Sequence, residues 1–247
     1  MIASMNAELD RLLAAQGGVV TSAQALRCLT RRGLEFEVKC NGLQRIWRGV
    51  YGRGEVTTAL KLRGLDLAAG TKVAACLYTA ATAYGFGTEQ VADLHVLNPI
   101  GQRLRSNEGL VVHRRDGAPL RNVAGRLATA PAWTAIEVAR TLRRPRALAT
   151  LDAALRTGTC NRGDLARAIE LQAGRRGIVQ VRELLCRASP LAESPMESEA
   201  RLVMLDGGLP PPVLQYEIVD LNGRVWRLDF AWPEYRVAAE YDGVDWH

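Results

Sequence analysis

Leu43-Gln44-Arg45-Ile46-Trp47-Arg48-Gly49-Val50-Tyr51-Gly52-Arg53 reads as two short strands joined by a tight turn at Gly49. What precedes this ribbon decides the N-terminal fold. Leu9, Leu12 and Leu13 recur at helical spacing, and the run stops at Gly17-Gly18. Thr21-x-x-Gln24 is a capping box that opens a second helix through Leu29. A third short helix is expected from Gly33, with Phe36 and Cys40 on one side, ending near Asn41-Gly42. Three small helices followed by an arginine-bearing ribbon are the parts of a winged helix, expected over residues 1–58. In that fold the third helix enters the major groove of DNA and the wing touches backbone phosphates. Arg31, Arg32 and Lys39 surround the expected recognition helix, and Arg45, Arg48 and Arg53 lie on the ribbon. The alternative is a small module that binds protein, its arginines merely solvated.

Charge distribution favours the first alternative. The chain of 247 residues has a net charge of +6. Residues 1–63 hold ten basic against five acidic side chains, and residues 101–149 hold ten against three. Residues 190–247 reverse the balance, with four basic against eleven acidic. A basic body with an acidic tail favours double-stranded DNA as partner. Only three of the 32 basic residues are lysine. Arginine's planar fork suits phosphate, although GC-rich coding also raises arginine content.

Other classes are excluded by what the sequence lacks. The longest apolar stretch, Val73–Phe86, is about 14 residues and broken by Thr and Gly, whereas a bilayer crossing needs roughly 20. With no leader pattern at the start, a cytoplasmic protein without membrane contact is expected. Five scattered cysteines with no CxxC pair argue against a disulfide framework or a zinc site. There is no GxxxxGK[ST], HExxH or GxSxG motif.

Residues 59–189 read as a mainly helical domain. Helices are expected over 60–69, 75–84, 131–142, 145–156, 161–171 and 177–187, with short strands at 94–97 and 110–113. Residues 190–247 read as a third segment. Ser194-Pro195-Met196-Glu197 gives an N-cap, a first-turn proline and a capping-box glutamate, opening a helix with Met196, Ala200, Val203 and Met204 on one face. Strands at 213–219, 225–231 and 236–242 follow, the first two joined at Asn222-Gly223. The class is α/β in the broad sense, α+β overall.

Chemistry is sought in these last strands. Alternation puts Asp229 on one face of the second strand, and Glu240 and Asp242 on one face of the third. Two carboxylates on adjacent strands flanked by apolar residues need a partner, a proton or a cation. A hard ion such as Mg²⁺ is held by such oxygens and could serve phosphodiester chemistry. Two acids on a solvated sheet face would look the same at this level.

The residues also carry two resemblances. Ser194-Pro195-Met196-Glu197-Ser198, Gln215-Tyr216, Leu228-Asp229-Phe230-Ala231-Trp232-Pro233 and Ala239-Glu240-Tyr241-Asp242-Gly243…His247 resemble the very-short-patch-repair-like endonucleases of the PD-(D/E)XK superfamily. This resemblance implies a restriction-endonuclease-like helix and sheet, incomplete at the C-terminus. It makes Asp229 and Glu240 metal ligands for Mg²⁺ and Glu197 a catalytic carboxylate. Asp242 takes the place of the usual lysine, and His247 resembles a closing histidine. Upstream, Gly17-Gly18-Val19-Val20-Thr21 and Trp47-Arg48-Gly49-Val50-Tyr51 resemble the winged-helix region of AbiEi-type antitoxins, and Ala74–Ala81 through Asp93–Val96 resemble the domain that follows it. That second resemblance implies a DNA-binding autoregulator from a type IV toxin–antitoxin system, with a cognate toxin. Two functions are thus expected: a Mg²⁺-dependent DNA endonuclease, or an antitoxin-like repressor whose nuclease module is inactive.

Overall fold

The computed structural model describes residues 2–40, 42–114 and 117–242. Asn41, Arg115, Gly243 and His247 lie outside the described residues. The chain is an α+β protein, and its described residues form two compact units. One unit takes those within 1–74 and 97–114, the other those within 75–96 and 115–247.

The first unit begins with α1 (Ile2–Ala15), which ends where Gly17 and Gly18 adopt positive φ. β1 (Val19–Thr21), α2 (Ser22–Cys28), α3 (Arg31–Lys39), β2 (Gln44–Trp47) and β3 (Val50–Gly52) follow. The strands pair antiparallel in the order β1-β3-β2. This is the element order and sheet order of a winged helix. The capping box of α2 forms as expected: the Gln24 N–H donates to Thr21 Oγ1, and the Thr21 N–H donates to Gln24 Oε1 at 2.9 Å. α3 starts two residues before Gly33, because Thr30 Oγ1 accepts the Gly33 N–H at 3.1 Å and caps the helix. Its Phe36 and Cys40 are exposed rather than packed; the side facing the core carries Leu34. Leu9, Leu13, Val20, Ala25, Leu34 and Leu43 build that core.

α4 (Thr58–Ala69) packs on the ribbon. The Trp47 indole N–H donates to the Lys61 carbonyl at 2.8 Å. At Gly64 a Cβ would lie 3.2 Å from both Trp47 and Val50, so a glycine is what lets helix and ribbon approach this closely.

Along the rest of the chain come α5 (Leu77–Ala83), β4 (Leu94–Leu97), β5 (Leu110–His113), β6 (Leu120–Val123), β7 (Arg126–Thr129), α6 (Pro131–Ala139), α7 (Arg144–Arg156), α8 (Arg162–Leu171), α9 (Ile178–Leu185), α10 (Pro195–Asp206), β8 (Val213–Val219), β9 (Val225–Trp232) and β10 (Val237–Ala239). The hairpin β6–β7 has no counterpart in the sequence reading. It turns through Ala124 and Gly125, both at positive φ.

The core of the second unit gathers Phe86, Ile136, Leu148, Leu151, Leu165, Ile169 and Leu184 from the helices and the α5–β4 connection. α6 is buried from Trp133 to Ala139, including Glu137, which pairs with Arg175 at 3.0 Å and Arg140 at 3.5 Å. Cys28, Cys76 and Cys160 are buried small hydrophobes, whereas Cys40 and Cys186 are exposed. Burial pushes the Cys160 thiol up to about 11.

α10 reverses its expected orientation. Met196 and Val203 face solvent, and the buried residues are Glu197, Ser198, Glu199, Arg201 and Leu202. The reason is ionic: α10 lies on α7, where Glu199 pairs with Arg146 at 3.0 Å and with Arg143 at 2.8 Å, and Arg201 pairs with Asp152. β8, β9 and β10 form an antiparallel sheet in the order β10-β9-β8. β10 is shorter than expected at both ends: a 3₁₀ turn at Pro233–Tyr235 leads to Arg236 at φ +54°, so pairing starts only at Val237, and the strand stops at Ala239, before Glu240–Asp242.

Candidate nucleic-acid interface

The sequence of the first unit places cations on two elements that meet. Arg31 and Arg32 sit in the first turn of α3 and Lys39 in its last, because Thr30 fixes where the helix begins. Arg45 points out from β2, and Arg48 sits in the two-residue turn before β3. All five are exposed, and among the described residues none makes an ion pair. Arg31, Lys39 and Arg45 line one groove of about 500 Å³ between α3 and the ribbon, together with Leu34, Val38 and Tyr51. Glu35 also lines it. Arg32 and Arg48 are not part of that lining. Arg53 differs from the rest: it bridges to Asp10 of α1 and donates to the Gly42 carbonyl at 3.2 Å, so it fastens the sheet to the first helix.

Cations left without carboxylates close to one another repel, and a polyanion relieves that cost. The groove and the exposed turn can therefore take a phosphate backbone, with α3 presented to base edges. Sequence reasoning missed Phe36, which is 63% exposed on α3. Its signal was available: Leu34 and Val38, four apart, define the inward stripe and leave position 36 outside.

Two of the C-terminal carboxylates, Glu197 and Asp229, accept hydrogen bonds from nearby N–H groups. Asp229 lies on β9, whereas β10 ends at Ala239, paired with Phe230, so that Glu240 is exposed beyond the end of the strand. The third strand therefore stops short of Glu240 and Asp242, which the sequence placed on one of its faces. One Asp229 oxygen accepts the Tyr241 N–H at 2.9 Å. Glu197 is buried, and its Oε2 accepts the Glu193 N–H at 2.9 Å and the Gln215 amide N–H at 3.1 Å. Its role is to hold the start of α10 to β8. Asp242 is exposed. Among the described residues no group of three or more His, Cys, Asp or Glu side chains could hold a metal ion.

Residues 73–187 match the model of the AbiEi antitoxin C-terminal domain. The uncharacterized proteins MT2308 and Rv2248 of Mycobacterium tuberculosis (strains CDC 1551 / Oshkosh and ATCC 25618 / H37Rv) are each 57% identical over 219 residues, covering 89% of this chain and 80% of theirs. The crystal structure of the RV2827C protein from Mycobacterium tuberculosis superposes with a TM-score of 0.51 over 88% of this chain and 89% of that one. At 15% identity, that likeness concerns the fold alone. No helix among the described residues is long and apolar enough to cross a membrane.

Proposed function

We propose that this chain, which belongs to the family of the mycobacterial proteins MT2308 and Rv2248 and matches the AbiEi antitoxin C-terminal domain over residues 73–187, is a DNA-binding antitoxin-type regulator. The observation that carries the proposal is the groove that Arg31, Lys39 and Arg45 line together, none of them ion-paired among the described residues, although Glu35 lines it as well. In this reading α3 enters the major groove, Arg48 in the ribbon turn takes a phosphate, and Phe36 meets base edges. The preferred target is the promoter of its own operon, and the partner of the second unit is a cognate toxin.

The C-terminal module takes no catalytic part in this reading. Glu197 is committed to two N–H donors and Asp229 to one, so the acids serve the structure of α10 and β8–β10. The experiment is a binding titration of duplex DNA from upstream of the gene, followed by incubation with Mg²⁺ or Mn²⁺. Specific binding that is lost in the Arg45→Ala, Arg48→Ala double variant, with the DNA left intact, is the expected result. Binding that survives the double change removes the wing from the interface. Cleavage that disappears in Asp229→Ala would overturn the assignment as a binding protein.

A further inference from the structure

We infer that Pro99–Asn107 is a second DNA-contacting element, a basic loop that grips the duplex backbone alongside the winged helix. The inference rests on the DNA-binding reading above and enlarges its footprint. The chain leaves the first unit after residue 74 and returns to it for residues 97–114, so this loop belongs to the body that carries α3 and the ribbon.

The loop is built rigidly. Asn98 staples it from within: its side-chain amide donates to the Gln102 carbonyl at 2.7 Å, and its Oδ1 accepts the Leu104 N–H at 2.9 Å. The Gln102 N–H closes a turn onto the Pro99 carbonyl at 3.1 Å. Its base is tied by the Asn98 N–H to the His113 carbonyl at 2.8 Å and by the Val112 N–H to Ser106 Oγ at 2.9 Å. The loop is also registered against the wing, since a Cβ on Gly109, in the turn that ends it, would lie 4.0 Å from the Trp47 ring at the end of β2.

What this scaffold presents is cationic. Arg103 and Arg105, two residues apart with half-buried Leu104 between them, are exposed, and neither has a carboxylate partner among the described residues. Ile100 at the tip is fully exposed. A loop held in one conformation loses little entropy on binding, so its charges count more than those of a mobile tail. Arginines that follow an exposed apolar tip within a few residues are also what a segment entering a minor groove carries.

The test is a salt titration of duplex binding by the whole chain, comparing wild type with an Arg103→Ala, Arg105→Ala double variant and with Ile100→Ser. Removing two phosphate contacts lowers the slope of log K against log salt by about 1.8. The expected result is binding about tenfold weaker at ~50 mM salt, with the gap closing as salt rises. Ile100→Ser should keep the slope and reduce DNA bending measured by end-to-end energy transfer. If wild type binds and the arginine variant matches it in affinity and slope, the loop is not a contact while the winged helix stands. If wild type binds no duplex at any salt, the regulator reading itself falls. Loss of binding to a partner protein with DNA binding intact would overturn the loop's assignment in favour of a protein interface.

Discussion

Arg201 of α10 and Asp152 of α7 form an ion pair inside the second unit, with Asp152 wholly buried and Arg201 5% exposed. The second Asp152 oxygen accepts the Ser189 N–H at 2.7 Å, and Arg201 also donates to the Arg187 carbonyl at 2.7 Å. Burial raises the Asp152 carboxyl above its ordinary value, and the Arg201 charge opposes that rise. One contact thus ties α10 to α7 and to the segment between α9 and α10.

Removing one member of such a pair leaves a desolvated charge. Arg201→Met should cost about 3–5 kcal/mol in urea unfolding. The compensated variant Asp152→Leu, Arg201→Met should recover most of it, because the charge left behind is removed as well. A single change that costs under about 1 kcal/mol would show that the pair does not anchor α10.

The β6–β7 turn gives a prediction of opposite sign. Ala124 stands at φ +48° beside Gly125 at φ +75°, the conformation of a two-residue hairpin turn that favours Asn-Gly. Alanine pays a steric cost there that asparagine largely avoids. Ala124→Asn should stabilise the protein by about 0.5–1 kcal/mol, read from the denaturation midpoint.

That turn also shows where the sequence stops being legible. Asn222-Gly223 announces its hairpin, whereas in Ala124-Gly125 the first turn residue is not one that prefers left-handed backbone, and two four-residue strands have too little alternation to show themselves. β1 is hidden for the same reason. Caps were readable because their geometry is local: the Thr21–Gln24 box forms as its spacing dictates, and Ser194 caps α10 with Pro195 in its first turn, although the Glu197 carboxylate accepts the Glu193 N–H and leaves the reciprocal half of that box unmade. The buried face of α10 was not readable. Its apolar stripe is overruled by arginines more than 50 positions away on α7, Arg143 and Arg146 pairing with Glu199, and local periodicity holds no record of them. The return of residues 97–114 to the first unit is equally non-local. For the site, the cations were legible one by one. Their convergence was not, nor was the diversion of Arg53 to Asp10.

Asp206 at the end of α10 should give the protein a distinct acid response. Hydrogen bonds from Arg144, at 3.1 and 3.2 Å, and from Arg187 hold its carboxyl down at about 2, from an ordinary 3.8. A depressed carboxylate contributes stability that is complete above its unfolded value and is lost as pH falls through its folded one. Thermal midpoints measured from pH 5 to pH 2 should therefore fall in that window, and less steeply in Asp206→Asn. Because the group is 41% exposed, added salt should shrink the difference. Identical slopes for the two proteins would remove the carboxylate from the acid response.

Phe36 separates a structural from a functional role for α3. At 63% exposure it contributes little to the core, so Phe36→Ala should change stability by no more than about 0.5 kcal/mol. If α3 lies in the major groove, the ring covers apolar base surface such as a thymine methyl, and its loss removes discrimination rather than charge attraction. Specific binding should weaken by about tenfold, on the order of 1.4 kcal/mol, while binding to unrelated duplex and the salt slope stay as in wild type. Equal weakening on specific and unrelated DNA would mean that the ring shapes the helix instead of reading the target. An unchanged affinity for both would place the recognition surface elsewhere on the first unit.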